Sequence, residues 1–476
     1  MAAMTLSILH VLVAALLGVR ILLRPHRQPE SRAAWLVVVI AAPFVGAVLY
    51  ALLGETGIGR ERTRRLREVA RALPPPCVGA AEVLPGAGEG PAAQLFAVGR
   101  SISGYPAVGG NRAALMADSD AAIGSIVADI DAAAHSVHLL FYIWLDDGNG
   151  TRVADALVRA ARRGVACRAM VDDIGSRALV RSALWKRMGD AGVALRTALP
   201  VGNPLVEMVR GRIDLRDHRK IVVIDHRITY CGSQNCADPA FLPKKRYAPW
   251  VDAVMRFEGP IVQENQHLFA LNWMGNGGDD ITGLLATPPD APQPGFTAQV
   301  IASGPTYRPS AVPELFATLI YAARRELIVT TPYFVPVPEL LSALCAAGHR
   351  GVATTLIFPA RNDDAVVGAI CRSHYAALLG AGVRVFEFGP GLLHTKSLTL
   401  DGEVTLIGSA NLDRRSFDLN YENNILLHDA ACTQQMRARQ MAYLQQSREV
   451  TRAEVRAWPL HRRLLDNAVG MLGPIL

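Results

Sequence analysis

Two stretches of this 476-residue chain carry the same reactive side chains in the same order. They are DHRKIVVIDHRITYCGSQN (217–235) and LHTKSLTLDGEVTLIGSAN (393–411), each reading H-x-K-x4-D and then G-S-x-N. His218 and His394, Lys220 and Lys396, Asp225 and Asp401, Ser233 and Ser409, and Asn235 and Asn411 all stand 176 positions apart. Residues two apart on a β-strand share a face, so each histidine projects beside its lysine. An imidazole placed there can attack phosphorus or carry a proton, and the neighbouring ammonium offsets charge on phosphate oxygens. The serine and asparagine that end the next strand add hydroxyl, amide and backbone N–H donors for the same oxygens. Asp225 and Asp401 lie an odd seven residues beyond their histidines, through a turn, and read as residues that serve the fold.

Either copy alone is incomplete. A displacement through a histidine needs one imidazole to attack phosphorus and a second to protonate the departing oxygen. Two copies meeting across a pseudo-twofold axis supply both, and their lysines do the work a Mg²⁺ would otherwise do, so the site asks for no metal and no cofactor. The attacking histidine also needs an acceptor on its other ring nitrogen. Asp252, in WVDAVMRFEG, and Glu422, in DLNYENN, each roughly one strand-turn-strand return beyond a histidine, are the candidates, with Glu422 expected against His394.

The elements that must position these groups also recur. AAIGSIVADIDAAAHS has helical period, VHLLFYIWL is a buried strand, RVADALVRAARRG is helical again and VACRAMVDD is a strand. Strands separated by such helices predict an α/β fold in which mixed sheets are flanked by helices. AAAHSVHLLFYIW (132–144) answers to YAARRELIVTTPYFV (321–335), and RRGVACRAMVDD (162–173) to HRGVATTLIFPA (349–360). A repeat of this length predicts two pseudo-symmetric domains, over 101–290 and 291–476, with the cleft at their junction.

Residues 1–56 read as an apolar α-hairpin, with uncharged or nearly uncharged runs at 4–23 and 34–53, each long enough to cross a bilayer. Pro43 and Gly46 lie inside the second run, where a kink is tolerable. Arginines stand both between the runs and after them, so the positive-inside rule pulls in two directions. A shallow re-entrant hairpin with both flanks on the cytoplasmic side satisfies both. Residues 57–100 hold a basic segment and then the linker ALPPPCVGAAEVLPGAGEGPA (72–92). The ten arginines and four glutamates of residues 1–71 account for six of the seven net positive charges. The rest is nearly neutral, which argues against a nucleic-acid partner and for attraction of the N-terminal region to anionic lipid. Seven scattered cysteines without CxxC spacing argue against a disulfide framework and against a zinc site. The tail from Trp458 is amphipathic, fitting either the head-group layer or the catalytic core.

These residues resemble the phospholipase D superfamily, whose signature is two HxKxxxxD motifs followed by GSxN-type segments. GSANLDRRSFDLNYENN (408–424), GSQNCADPAF (232–241), FYIWLDDG (141–148) and the apolar pair ahead of GETGIGRERTRR narrow the resemblance to bacterial cardiolipin synthases. The resemblance implies two phospholipase D-type domains and counts His218, Lys220, Asp225, His394, Lys396 and Asp401 in the catalytic motif. It implies transfer of a phosphatidyl group from one phosphatidylglycerol to a second, giving cardiolipin and glycerol, with His218 as nucleophile and His394 as acid and base. It further implies anionic phospholipid partners and a place at the bacterial inner membrane, with the catalytic domains facing the cytoplasm. Phospholipase D-type hydrolysis, another phosphatidyl transfer of the same superfamily, nuclease action and a non-enzymatic lipid scaffold compete with this reading. Intact His, Lys and Asn in both copies weigh against the scaffold, and the near-neutral catalytic region against the nuclease.

Overall fold

A computed structural model describes residues 2–24, 29–42, 44–54, 58–78, 82–83, 91–202, 212, 214–286, 294–308 and 310–473. Pro43 and much of the expected linker lie outside the described residues. The first half contributes β1 Glu82–Val83, β2 Ala107–Leu115, β3 Ser136–Phe141, β4 Ala166–Asp172, β5 Ala194–Ala198, β6 Lys220–Ile224, β7 Ile228–Gly232, β8 Trp250–Val251 and β9 Val254–Glu258. The second contributes β10 Phe296–Ser303, β11 Glu326–Thr330, β12 Ala353–Pro359, β13 Arg384–Phe388, β14 Leu392–Leu393, β15 Ser397–Leu400, β16 Val404–Gly408, β17 Glu422–His428 and β18 Ser447–Val450.

Each half repeats one plan. β3, β4 and β5 run parallel, while β3 pairs antiparallel with β6, which leads through β7 to β9. In the second half β11, β12 and β13 run parallel, and β11 pairs antiparallel with β15, leading through β16 to β17. Parallel strands need cover on both faces. The sequence supplies it, because all six residues of β3 are buried and helix Gly148–Arg162 lays Val153, Ala154 and Leu157 against the sheet side. Asp147 starts that helix by accepting the Gly150 N–H at 3.0 Å, an N-cap that fixes where β3 hands over to it.

The two halves are not hung on a hinge. β2 pairs antiparallel with both β9 and β10, and β10 pairs with β17, so among the described residues one mixed sheet runs β18-β13-β12-β11-β15-β16-β17-β10-β2-β9-β7-β6-β3-β4-β5. Helix Ile261–Gly275 lies under the join, where Val262, Leu268, Phe269 and Trp273 share a core with Val108, Ile221, Val300 and Ile425 from both halves.

The N-terminal apolar hairpin is present, but its second arm is bent double. Helix Ala2–Leu23 contains Met4–Leu23, the one helix among the described residues long and apolar enough to cross a membrane. The run at 34–53, expected as a second crossing helix, is instead two helices, Pro29–Ala41 and Val45–Leu53. The rings of Trp35 and Tyr50 lie 5.4 Å apart, edge to face. In one straight helix they would stand about 22 Å apart. Phe44 has a φ of 58°, and the break falls where the sequence carries Pro43, a residue type that cannot continue a helical hydrogen-bond ladder. Gly46 permits the fold-back, because a Cβ there would meet the Val38 carbonyl oxygen at 2.3 Å.

Candidate active site

His218 stands just before β6 and His394 just before β15, each followed at two residues by its lysine. All four side chains are buried, as are Asn235 and Asn411. The ammoniums turn back on their own motifs, Lys220 Nζ donating to the His218 carbonyl at 2.6 Å and Lys396 Nζ to the His394 carbonyl at 2.7 Å.

The two carboxylates occupy equivalent places. Gly232 pairs with Val254 and Gly408 with Asn424, so Asp252 and Glu422 each lie two residues before the partner of a motif glycine. Each accepts the hydroxyl of its own half's motif serine: Ser233 Oγ reaches Asp252 at 2.6 Å, and Ser409 reaches Glu422. Toward the histidines, however, they cross. Glu422 of the second half accepts His218 Nδ1–H at 2.9 Å, and Asp252 of the first half accepts His394 Nδ1–H at 2.6 Å. The expected pairing of Glu422 with His394 is therefore corrected. Chain connectivity places Glu422 near His394, but the backbone of each motif docks on the other half. The His394 N–H donates to the Val251 carbonyl at 2.8 Å, with β14 lying parallel to β8, and the His218 N–H donates to the Tyr421 carbonyl at 3.0 Å.

The electrostatics follow from burial and these partners. Burial, opposed by Glu422 and assisted by Lys220 and Lys396, lowers His218 to about 4. Burial together with Lys396, against the pull of Asp252, likewise lowers His394 to about 4. Each histidine is thus affected by the other motif's lysine, which sets the two pairs side by side. Burial lowers Lys220 to about 8 and Lys396 to about 7. Burial would raise both carboxylates, but the facing histidines and lysines outweigh it and hold Asp252 at about 2 and Glu422 below its ordinary value. An ionised carboxylate only accepts, so each Nδ1 carries the proton and each Nε2 keeps its lone pair for chemistry.

Asp225 and Asp401 are not at this centre. Asp225 accepts the N–H groups of Ala134, His135 and Ser136, each at 2.8 Å, and Asp401 those of Arg324, Arg325 and Glu326 at 3.0, 2.7 and 2.9 Å. Each sits in the turn at the far end of its strand from the lysine and ties that turn to the start of β3 or β11, so its place in the catalytic motif is corrected to a scaffold role. Both adopt the left-handed conformation, with φ of 51° and 54°. Asn235 accepts the Ile143 N–H at 3.3 Å, while Asn411 donates its backbone N–H to Ser416 Oγ at 3.0 Å and its Oδ1 is buried without a partner.

Four further residues belong to the arrangement. Trp250 packs on His394 with ring centres 4.6 Å apart, and Tyr142 meets His218 edge to face at 4.9 Å. Ser416 donates to Glu422 at 2.8 Å. Arg219, buried just before β6, donates to the Glu422 carbonyl at 3.2 Å, to Asn272 at 2.7 Å and to the Ser303 carbonyl at 3.1 Å. Trp250 stands two residues from Asp252, so strand alternation carries its signal. Ser416 and Arg219 have no like residue in the other copy, where Ala240 and Thr395 stand, and the repeat gives no sign of them. Arg414 pairs with Asp418 at 3.6 Å, Arg415 pairs across the halves with Asp214 at 2.8 Å, and Tyr333 donates to Asp363 at 2.8 Å.

A duplicated α/β fold with paired His–Lys motifs at its centre is the architecture of the phospholipase D class. The family model described as cardiolipin synthase, PLD-like domain, matches residues 126–254 and 316–442, and a phospholipase D-nuclease N-terminal model matches 12–55. The chain belongs to this phospholipase D-like family of cardiolipin synthases. Its relatives include the proteins named cardiolipin synthase A of Salmonella paratyphi B and Salmonella newport, each 36% identical over 96% of this chain and 95% of the relative. Among solved structures, phosphatidylserine synthase of Haemophilus influenzae Rd KW20 shares the fold, with a TM-score of 0.59, 14% identity and coverage of 80% of this chain and all of that one.

Proposed function

We propose that the chain is a membrane phosphatidyltransferase that joins two phosphatidylglycerols into cardiolipin and releases glycerol. The crossed pairing of His218 with Glu422 and His394 with Asp252 carries this reading, because it gives two equivalent imidazoles, each oriented by a carboxylate, around a doubly cationic phosphate site. Membership of the family and the names of the Salmonella relatives support the lipid substrate.

In the first step His218 Nε2 attacks phosphorus and the bond to the head-group glycerol oxygen breaks. Burial and then the neighbouring lysines hold His394 low; the bound phosphodiester offsets the lysine charges, so His394 takes a proton on binding and delivers it to the leaving alkoxide. The products are a phosphatidyl-histidine and free glycerol. In the second step neutral His394 accepts the proton of a terminal hydroxyl on a second phosphatidylglycerol, whose oxygen attacks phosphorus and frees His218. Lys220, Lys396, Asn235 and Asn411 stabilise the equatorial oxygens, and Ser233 and Ser409 hold the carboxylates. The His218 side chain is 10% exposed against 3% for His394, which favours His218 as the attacking group.

Purified protein in nanodiscs of phosphatidylglycerol is the test, with products identified by mass spectrometry. Cardiolipin and glycerol in equal amounts are expected, lost in both His218→Ala and His394→Ala. Phosphatidic acid as the sole product would replace transfer with hydrolysis. Label from phosphorus-labelled substrate trapped on His394 would reverse the two roles.

A further inference from the structure

The last helix, Leu460–Gly470, faces the wrong way for a soluble protein. A surface helix ordinarily turns its apolar stripe inward and its charges to water. Here the inward residue is Asp466, which is buried and paired with Arg372 at 2.7 Å and Arg462 at 3.8 Å. Its exposed large apolar residues are Leu460, Leu464, Leu465, Met471 and Leu472, at 70, 61, 62, 77 and 44% exposure, beside exposed His461, Arg463 and Asn467. Leu460, Leu464, Ala468 and Met471 follow helical spacing, so they form one ridge rather than scattered points. The basic residues flank the ridge: Arg463 is exposed, and Arg462 stacks over Trp458 at 3.9 Å.

The C-terminal end of this helix lies close to the second half of the site. A Cβ on Gly473 would come 3.6 Å from Val335, whose N–H donates to the Leu412 carbonyl at 2.9 Å, one residue from Asn411. Tyr333, two residues before Val335, donates to Asp363, and Asp363 also holds Lys244 from the loop Leu242–Tyr247 of the first half. That loop turns outward Leu242, 65% exposed, with exposed Lys245 and Arg246. The membrane hairpin returns to the body at the same end of the sheet. Ile58 is buried among Leu199, Leu215, Leu419 and Tyr421, and Tyr421 is the residue that accepts the His218 N–H.

We propose that the outward face of helix Leu460–Gly470, together with the loop Leu242–Tyr247, is a bilayer-docking surface that seats the cleft mouth on an anionic phospholipid leaflet. The inference rests on the lipid substrate argued above. An apolar ridge flanked by arginine and lysine is the composition of a helix lying in the head-group layer, with leucines among the upper acyl carbons and basic groups at the phosphates. A second copy of the chain would have to cover the ridge with a complementary apolar face and leave the basic flanks unpaired. A leaflet covers both, and it already anchors this end of the molecule through the hairpin. Docked so, the phosphate of a lipid enters the cleft while its acyl chains stay in the bilayer.

Spin labels on single cysteines at Leu464 and Met471, in full-length protein with Cys77 and Cys345 replaced by serine, report their depth in nanodiscs of phosphatidylglycerol and phosphatidylcholine. A third label at exposed Glu403, in the turn at the far end of β15 from Lys396, is the reference. Labels at 464 and 471 are expected about 5–10 Å below the phosphate level, with 403 in water. All three labels equally exposed to aqueous quencher would overturn the proposal, and so would dipolar coupling between labels at 464 on two chains. The depth does not depend on turnover. Water-exposed labels on protein that makes cardiolipin would sink the docking surface alone. Inserted labels on protein that makes none would sink the transferase reading and leave the surface standing.

Discussion

Asp252 and Glu422 look interchangeable within the repeat, yet each acts on the histidine of the opposite half, and this crossing makes a chemical prediction. If His394 serves mainly to protonate the leaving oxygen, a substrate whose leaving group departs without a proton, such as a p-nitrophenyl phosphodiester, bypasses it. Asp252→Asn and His394→Ala should then recover much of their loss in the nitrophenolate burst, which reports the first step alone, while Glu422→Gln and His218→Ala should not. Against phosphatidylglycerol either carboxylate variant should cost about 10³–10⁴-fold in kcat, the scale of an amide in place of a carboxylate that orients a catalytic histidine. Rescue of Glu422→Gln in place of Asp252→Asn would show the roles reversed. The pH profile follows from the same burial. In the free enzyme the histidines, lowered to about 4, stay neutral until the acid extreme, so the nucleophile is lost only as pH falls toward that value. Lys396 and Lys220, lowered to about 7 and about 8, lose charge as pH rises through those values, so phosphate binding weakens on the alkaline side. A profile of kcat/KM should fall above neutrality, and a plateau extending past pH 10 would refute the assignment.

At the scale of elements, much was legible because period and spacing are local properties. The alternation of buried strand and amphipathic helix and the His-x-Lys pair leading into β6 and β15 are set by residues a few positions apart, and the 176-residue offset comes from matching one such local pattern with another. The crossing of the carboxylates was not, because it depends on β2 and β10 fusing two sheets and on β8 lying against β14, pairings between residues more than a hundred positions apart. The bend in the second apolar run was half legible. Pro43 marks a break in the sequence, but only the contact of Trp35 with Tyr50 makes it a fold-back. Two short arms of 13 and 9 residues do not reach across a hydrocarbon core of about 30 Å. Cysteines placed at Ala33 and Arg60 should therefore react with an impermeant maleimide from the same side of sealed vesicles. Gly46→Val, which drives a side chain into the Val38 carbonyl, should break that equivalence by forcing the arms apart.

For the whole molecule, the sheet that passes from β9 through β2 and β10 to β17 means that neither half holds a complete site or a covered edge. A first half made alone would keep His218 and Lys220 but lose Glu422, the Tyr421 carbonyl that fixes the His218 backbone, and the Arg219 contacts to Glu422 and Ser303. A second half made alone would lose Asp252 and the Val251 carbonyl that receives His394. Each fragment would also expose one side of the β2–β10 seam and part of the core beneath helix Ile261–Gly275, an apolar edge prone to misassociation. Duplication thus produced mutual dependence in addition to two sites' worth of groups. Chains cut between Ala286 and Gly295 should be inactive as single halves and regain transfer when both are co-expressed, since the cut interrupts none of the strands that carry the two motifs or the β2–β10 seam. Adding Glu422→Gln to the second fragment should abolish the recovered activity even though both histidines, both lysines and both motif serines remain. Activity in either fragment alone, or recovery that survives Glu422→Gln, would show that the crossed carboxylates orient nothing essential.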